Sequence, residues 1–535
     1  MANDPVDVVI VGGGASGAAV AWSLADTKMH IVCLEQGGMP DPSKYPTTGR
    51  DWEARARSDF SASPNIRKAP ADYPINDDDS PIKIVNFNGP GGGTVLYSGH
   101  FPRFHPSDFR VKTLDGVADD WPLDYRTLEP FFALNDKMMG VSGMAGDPAY
   151  PPGKTSVMPP VPLGKAGQVL AKGCNALGWH WWPSDTAVAT QEYDGRPQCI
   201  NLGACMTGCS QGAKGSTDVT YWPHAIRAGV ELRTQARVRE ITVDETTGMA
   251  DGVIYYDADG VEHVLKAYVV ILACNGIGTP RLLLNSKSKT HPEGLANSSG
   301  LVGRNLMLHP YSWVQGIFEE ELDGYRGPHK NIWSHQFYET EPDRDFVRGY
   351  LLESHRGAAT IETVMAGLDW GEVPWGDGHH DAVRRLHNRI TSWVAVCEDL
   401  PELHNTVTLD PDLTDSNGIP APKVTYTLSE NSIRMLEHSI ERITEILEAA
   451  GATKTYAVYP IEYGGWHLLG TARMGTNPKS SVVNEWGRAH DVKNLFIVDG
   501  SIFVTSAGVN PTSTLQALAL YIADQMKQRL ANLFD

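Results

Sequence analysis

Nowhere does the chain hold an apolar run approaching the roughly 18–20 residues that cross a bilayer, so no membrane span is expected. Positive charge is also short. Lys and Arg number 45 against 64 Asp and Glu, a net charge of −19. Such a field repels polyanions and argues against nucleic acid as a partner, while a neutral sugar or alcohol is indifferent to it. Cysteine is scarce and odd in number, seven in 535 residues. With no secretory signal in view, a disulfide framework is not expected, whereas reduced thiols or a metal centre are. No basic stretch or apolar signal core precedes the first strand, which Met1-Ala2-Asn3-Asp4-Pro5 enters directly. A cytoplasmic location is expected, with export only beside a signal-bearing partner. Internal repeats and low-complexity tracts are lacking too. What remains, 41% hydrophobic and 20% charged, is globular composition, with length for several domain-sized units or two domains, one of them discontinuous.

The most informative stretch comes first. Val6-Asp7-Val8-Val9-Ile10-Val11 is short, β-branched and strand-like, and it breaks into Gly12-Gly13-Gly14-Ala15-Ser16-Gly17 before an alanine-rich helix. In a dinucleotide grip Gly12 makes the turn, Gly14 leaves no side chain between backbone and pyrophosphate, and Gly17 lets the helix settle on the strand. A second strand, His30 to Leu34, delivers Glu35 where an acid accepts hydrogen bonds from a ribose. The glycines alone would be weak evidence. Strand before, helix after and the acid beyond make it strong.

From about Met39 to Pro81 the chain turns polar and proline-rich, which predicts a long surface excursion outside the core, either a lid or a plain solvated loop. Asn88-Gly89-Pro90-Gly91-Gly92-Gly93-Thr94 follows, a backbone able to pass close across a flat ring. Residues 107 to 198 are irregular and are expected to add helices and cover to a second domain. Three thiols, Cys199, Cys205 and Cys209, then lie within eleven residues. Strands are predicted at 230–232 and 236–238, a hairpin over 252–265, and a separate buried strand over 269–273. His379-His380 sits on a polar Gly/Asp loop, where adjacent histidines are more often exposed than a metal pair. A helical pattern runs from about Glu430 to Ala449, and Asn510-Pro511 opens a last helix with Leu515, Leu518, Ile522 and Met526 on one face.

Taken together, GGGASG with Glu35, the Gly-rich stretch, VILACNGIGTPRLLL, VGRNLMLHP, HLLGTARMG and VDGSIF through NPTSTLQALALYIADQM resemble the glucose-methanol-choline oxidoreductases, in order and over nearly the whole chain. The phrase GAKGSTDVTYWPHA resembles most the branch holding bacterial pyranose oxidases, glycoside 3-oxidases and large subunits of sugar dehydrogenases. The resemblance implies an α/β chain with a Rossmann-like FAD-binding domain (1–106, 196–310 and 456–535) and an α+β substrate domain with a sheet and covering helices (107–195 and 311–455). It implies FAD held by Gly12, Gly14, Ala15, Ser16, Gly17, Glu35, Gly92, Gly93, Thr94, Val238, Asp499, Asn510 and Thr512. Thr94, Val95 and Leu96 stand where fungal pyranose oxidases tether the flavin to a histidine, so the flavin here is expected to be non-covalent.

The resemblance also places His467 on the family's catalytic histidine and Asn510 on its usual second catalytic residue. Oxidising an alcohol requires taking a hydroxyl proton while a hydride leaves the same carbon, and a neutral imidazole suits the first task. The expected reaction is oxidation of a secondary hydroxyl of a pyranose or glycoside to a keto-sugar, with electrons passed to oxygen or a quinone. Cys199, Cys205 and Cys209 resemble the ligand spacing of a three-iron cluster in sugar-dehydrogenase large subunits. With a cluster, electrons would go on to a small or heme subunit of a membrane-tethered enzyme. Without one, the loop is simply built of small residues. Both readings stand at this point.

Overall fold

The computed structural model describes residues 4–68, 72 and 74–534. Its organising sheet has seven strands. Val6–Val11 sits at the centre, pairing in parallel with Ile31–Leu34 on one side and with Glu262–Leu272 on the other. Glu231–Arg233 extends the first edge and Leu495–Ile497 joins the other, also in parallel. Parallel strands of this kind are buried on both faces, which is why Val8, Val9, Ile10, Val32, Val270, Ile271 and Phe496 are all inaccessible to solvent. Helix Ala15–Leu24 covers one face, packed on the final helix Thr512–Gln528. The helix Tyr125–Met139 packs on that same final helix.

The hairpin and the separate strand predicted over 252–273 turn out to share one element. Glu262–Leu272 runs unbroken for 11 residues. Its first half pairs antiparallel with Ala250–Tyr256 and its second half enters the parallel sheet. A switch from an exposed-buried alternation to continuous burial, visible in its accessibility pattern, is what made one strand read as two.

A second sheet of six antiparallel strands runs in the order 454–458, 311–317, 390–397, 350–355, 332–334, 182–183. Helices Gly164–Leu177 and Glu430–Ala450 back it, with Leu170, Met435, Ile443, Ile446 and Leu447 closing a core against Val314, Trp393 and Ala395. The fold is therefore the expected α/β arrangement of a dinucleotide-binding sheet beside an antiparallel sheet with covering helices.

The 39–81 excursion is not all surface. Ile75 is buried with Ile82 and Ile84 in a cluster of its own, Tyr45 packs with Val95 and Leu96, and Asn76–Asp79 pairs in parallel with Pro420–Thr425. A few large side chains anchor a polar stretch that composition alone marks as solvated. Within it, residues 69–71 and 73 lie outside the described residues.

Candidate active site

Gly12 turns the chain at φ +104°, and a Cβ there would come within 2.4 Å of the Ala273 carbonyl oxygen. A Cβ on Gly17 would fall 2.0 Å from the Gly12 carbonyl oxygen, so Gly17 serves the packing of helix on turn and does not line the cavity described below. Gly14 differs. The nearest heavy atom to a Cβ there is Gly92 Cα at 3.8 Å, and the remaining space is open. The Gly-rich stretch lies directly over this turn, with the Gly91 amide donating to the Gly13 carbonyl at 2.9 Å.

Glu35 is buried and already engaged: Oε2 accepts from the Gly13 amide at 2.7 Å and Oε1 from the Gly37 amide at 2.8 Å. Burial raises its carboxyl pKa even against these amides. Each oxygen keeps a lone pair for a ribose hydroxyl. Asp499 is likewise buried, accepting from the Ser501 amide at 2.9 Å and from the Thr279 hydroxyl.

From this turn a continuous cavity of about 470 Å³ runs into the molecule. Gly12, Gly14, Ala15, Ser16, Glu35, Gly92, Gly93, Thr94, Val238, Asp499, Asn510 and Thr512 line it, and so does His467. The open space over Gly14 and Gly93, where a methyl group would be the only obstruction, fits a flat dinucleotide crossing the turn.

Three groups settle the state of His467. Its Nδ1 lies 2.8 Å from His309 Nδ1 and 3.1 Å from the Tyr311 hydroxyl, while His309 Nε2 is 2.7 Å from the Ala507 carbonyl oxygen. A carbonyl only accepts, so His309 carries its proton on Nε2. Burial pushes the His309 pKa down to about 4, which keeps the ring neutral and Nδ1 bare. His467 must then donate from Nδ1, and its Nε2 is left as the one basic atom of the ring. Burial, and secondarily His309, holds the His467 pKa well below the ordinary value.

Asn510 does not cap the last helix. The helix begins at Thr512, and it is the Pro511 carbonyl that accepts from the Leu515 amide at 2.8 Å. Asn510 Oδ1 instead lies 2.8 Å from His100 Nδ1, which leaves its amide NH₂ for the cavity. His100 also sits 2.6 Å from Glu353 Oε2, and Glu353 Oε1 is 2.7 Å from Lys330 Nζ, all three buried. Burial opposes ionisation of Glu353, but Lys330 and His100 outweigh it and hold the carboxyl below the usual range. His100, His309, Tyr311, Lys330 and Glu353 were not singled out from sequence. His309 lies inside the quoted VGRNLMLHP and His100 just past the Gly-rich stretch. Glu353 has one faint signal, an acid in the middle of the apolar strand YLLESH.

Cys199, Cys205 and Cys209 are free and half-buried on a loop whose Met206 reaches the cavity. Lys214 ties this loop to the Gly-rich stretch by donating to the carbonyls of Cys205, Val95 and Tyr97 at 2.7, 2.8 and 2.7 Å. Burial takes the Cys199 thiol up to about 11. His379 and His380 begin a helix, His379–Leu386, and the His379 ring donates to the Pro374 carbonyl. Among the described residues the group compact enough for a single ion is Asp147, His180 and His335. Its hydrogen bonds argue against that use. The His335 amide donates to His180 Nδ1, so His180 carries its proton on Nε2 and gives it to Asp147 at 2.9 Å.

A dinucleotide turn and an imidazole with a free nitrogen lining one cavity point to a class, the nucleotide-dependent oxidoreductases. Comparison with known proteins narrows it. Residues 7–311 and 401–519 match the two parts of the GMC oxidoreductase family, and the chain belongs to that family of enzymes acting on CH–OH groups. It is 40% identical to the 2-methyl-1,2-propanediol dehydrogenase of Mycolicibacterium austroafricanum, over 99% of this chain and 97% of the relative. It is 30% identical to the fructose dehydrogenase large subunit of Gluconobacter japonicus, over 98% of each. Among solved structures, an Aspergillus oryzae formate oxidase covers 99% of both chains at a TM-score of 0.68 and 16% identity, a likeness of fold. Family membership supports FAD as the nucleotide. It does not support an iron–sulfur cluster. No helix among the described residues is long and apolar enough to cross a membrane.

Proposed function

We propose that the chain oxidises a hydroxyl of a small polyhydroxylated substrate with non-covalent FAD, and that His467 and Asn510 are the residues that handle the reacting oxygen. One observation carries the reading: the residues of the dinucleotide turn and the neutral His467 line the same cavity. FAD, when bound, supplies the hydride acceptor.

The chain's own part is proton handling and placement. His467 Nε2 accepts the hydroxyl proton, its tautomer fixed through His309 and the Ala507 carbonyl. The Asn510 amide, turned by His100, donates to the same substrate oxygen and stabilises the charge that develops there. The substrate classes under this reading are a pyranose or glycoside oxidised at a secondary hydroxyl to a keto-sugar, and a short diol of the kind for which the 40% identical relative is named. Oxygen or a quinone takes the electrons.

Anaerobic mixing of the yellow holoenzyme with a panel of pyranoses, glycosides and 1,2-diols tests this, with bleaching of the flavin by at least one expected. A holoenzyme that no alcohol bleaches would remove the reading. The iron–sulfur alternative keeps one point in its favour, three half-buried thiols on a loop that reaches the cavity. Elemental iron in the purified protein decides it.

A further inference from the structure

Buried polar atoms are almost always paired, and an exception in a cavity wall asks what it is waiting for. Two exceptions share one face of the antiparallel sheet. Trp313 pairs with Val394, and Val394 with Glu353, so the three side chains project to the same side. Tyr311 and His355, two residues along their strands, join them, and all five line the cavity. In this wall Trp313 Nε1 is a buried donor with no acceptor and Glu353 Oε2 a buried acceptor with no donor. Oε2 lies 2.6 Å from His100 Nδ1 and feels its charge, but that nitrogen's hydrogen is directed at Asn510 Oδ1, so Oε2 is left without a well-aligned donor. Lys330 occupies only the other oxygen.

We propose that Glu353, with Trp313, binds hydroxyls of the substrate other than the one being oxidised, and so selects polyols over monohydric alcohols. The inference rests on the reading of this cavity as an alcohol-oxidising site. Hydroxyls fit because each can both donate and accept, matching an orphaned acceptor and an orphaned donor on one wall. An ammonium would serve Glu353 and leave Trp313 unpaired. A monohydric alcohol that filled the cavity would leave both unpaired, and an unmet buried acceptor is a strong penalty against the wrong substrate.

The test compares trans-cyclohexane-1,2-diol with cyclohexanol in anaerobic single-turnover reduction of the holoenzyme. Wild-type enzyme should prefer the diol. E353Q should lose roughly 30-fold or more in kcat/KM for the diol, and at least about tenfold less than that for cyclohexanol. Because E353Q leaves Lys330 without its partner, W313F provides a second variant that keeps that pair, with a smaller loss in the same direction. Equal losses for both alcohols would mean that Glu353 only positions His100 and Asn510, and would overturn the assignment. So would a wild-type enzyme that does not prefer the diol. If neither alcohol nor any pyranose bleaches the wild-type flavin, it is the reading of the cavity that fails, and the two failures are told apart.

Discussion

Two parts of the cavity lining are built in opposite ways. In the nucleotide part, Val6 to Glu35 is one stretch of chain whose own backbone makes the turn, and Glu35 closes on the Gly13 and Gly37 amides. Around His467, residues 100, 311, 353 and 510 converge on the cavity from most of the chain, with His309 behind them, and the contacts are made by side chains. The first part is held by hydrogen bonds within or just past that one stretch. The second includes the unpaired Trp313 Nε1 and Glu353 Oε2. A site built from local backbone tolerates little change in shape, whereas one built from converging side chains should lose chemistry while keeping its cofactor.

That contrast is most easily broken at Gly12. Gly12→Ala puts a methyl group 2.4 Å from the Ala273 carbonyl at a φ that side chains avoid, and it should abolish flavin uptake or folding altogether. Flavin absorbance and thermal melting read it, and a yellow, stable variant would show that the turn is not rigid. His309→Leu should leave flavin occupancy intact and slow flavin reduction by about 10- to 100-fold, because it frees the His467 tautomer. His309 also helps to depress the His467 pKa, so the acid limb of kcat/KM should move to higher pH in this variant. Simple loss of packing would not move that limb.

A third expectation concerns acid. His309 has a folded pKa of about 4 and His355 of about 3, both below the ordinary value near 6.5. Neutral buried histidines of this kind contribute stability that is full above about pH 6.5 and is lost as pH falls through the folded values. Melting temperature should therefore fall between pH 6.5 and about 4, and fall less steeply in His309→Leu than in wild type. The smallest effect is expected at Lys214, which bridges both stories by tying the thiol loop to the Gly-rich stretch. Lys214→Met strands three carbonyls, at a cost of about 1–3 kcal/mol, and should lower the melting temperature and weaken FAD binding without altering the preference between substrates.

The same contrast explains what could be read in advance. The strand-turn-helix of Val6–Leu24 and the acid at Glu35 were legible because each follows from local geometry. His467 and Asn510 were reached by resemblance, while the company they keep was not. Which nitrogen of His467 stays basic depends on Ala507 and His309, which only the folded chain brings beside it. Glu353 in an apolar strand is a contradiction until Lys330, 23 residues upstream, is placed against it. Asn510 before Pro511 looks like a helix cap, but the helix starts one residue too late for that, and the Asn510 side chain is engaged by His100 instead. The polar stretch near residue 75 hid a buried isoleucine and a strand, since composition averages over the few side chains that anchor it.

A nucleotide grip and a proton acceptor that share one cavity yet act separately make His467→Ala the decisive variant. Stopped-flow reduction of FAD-loaded His467→Ala by the best alcohol substrate tests that separation most directly. Full flavin content and a reduction rate lower by about 10²- to 10⁴-fold are expected. Reduction at the wild-type rate, or a variant that can no longer hold FAD, would contradict it.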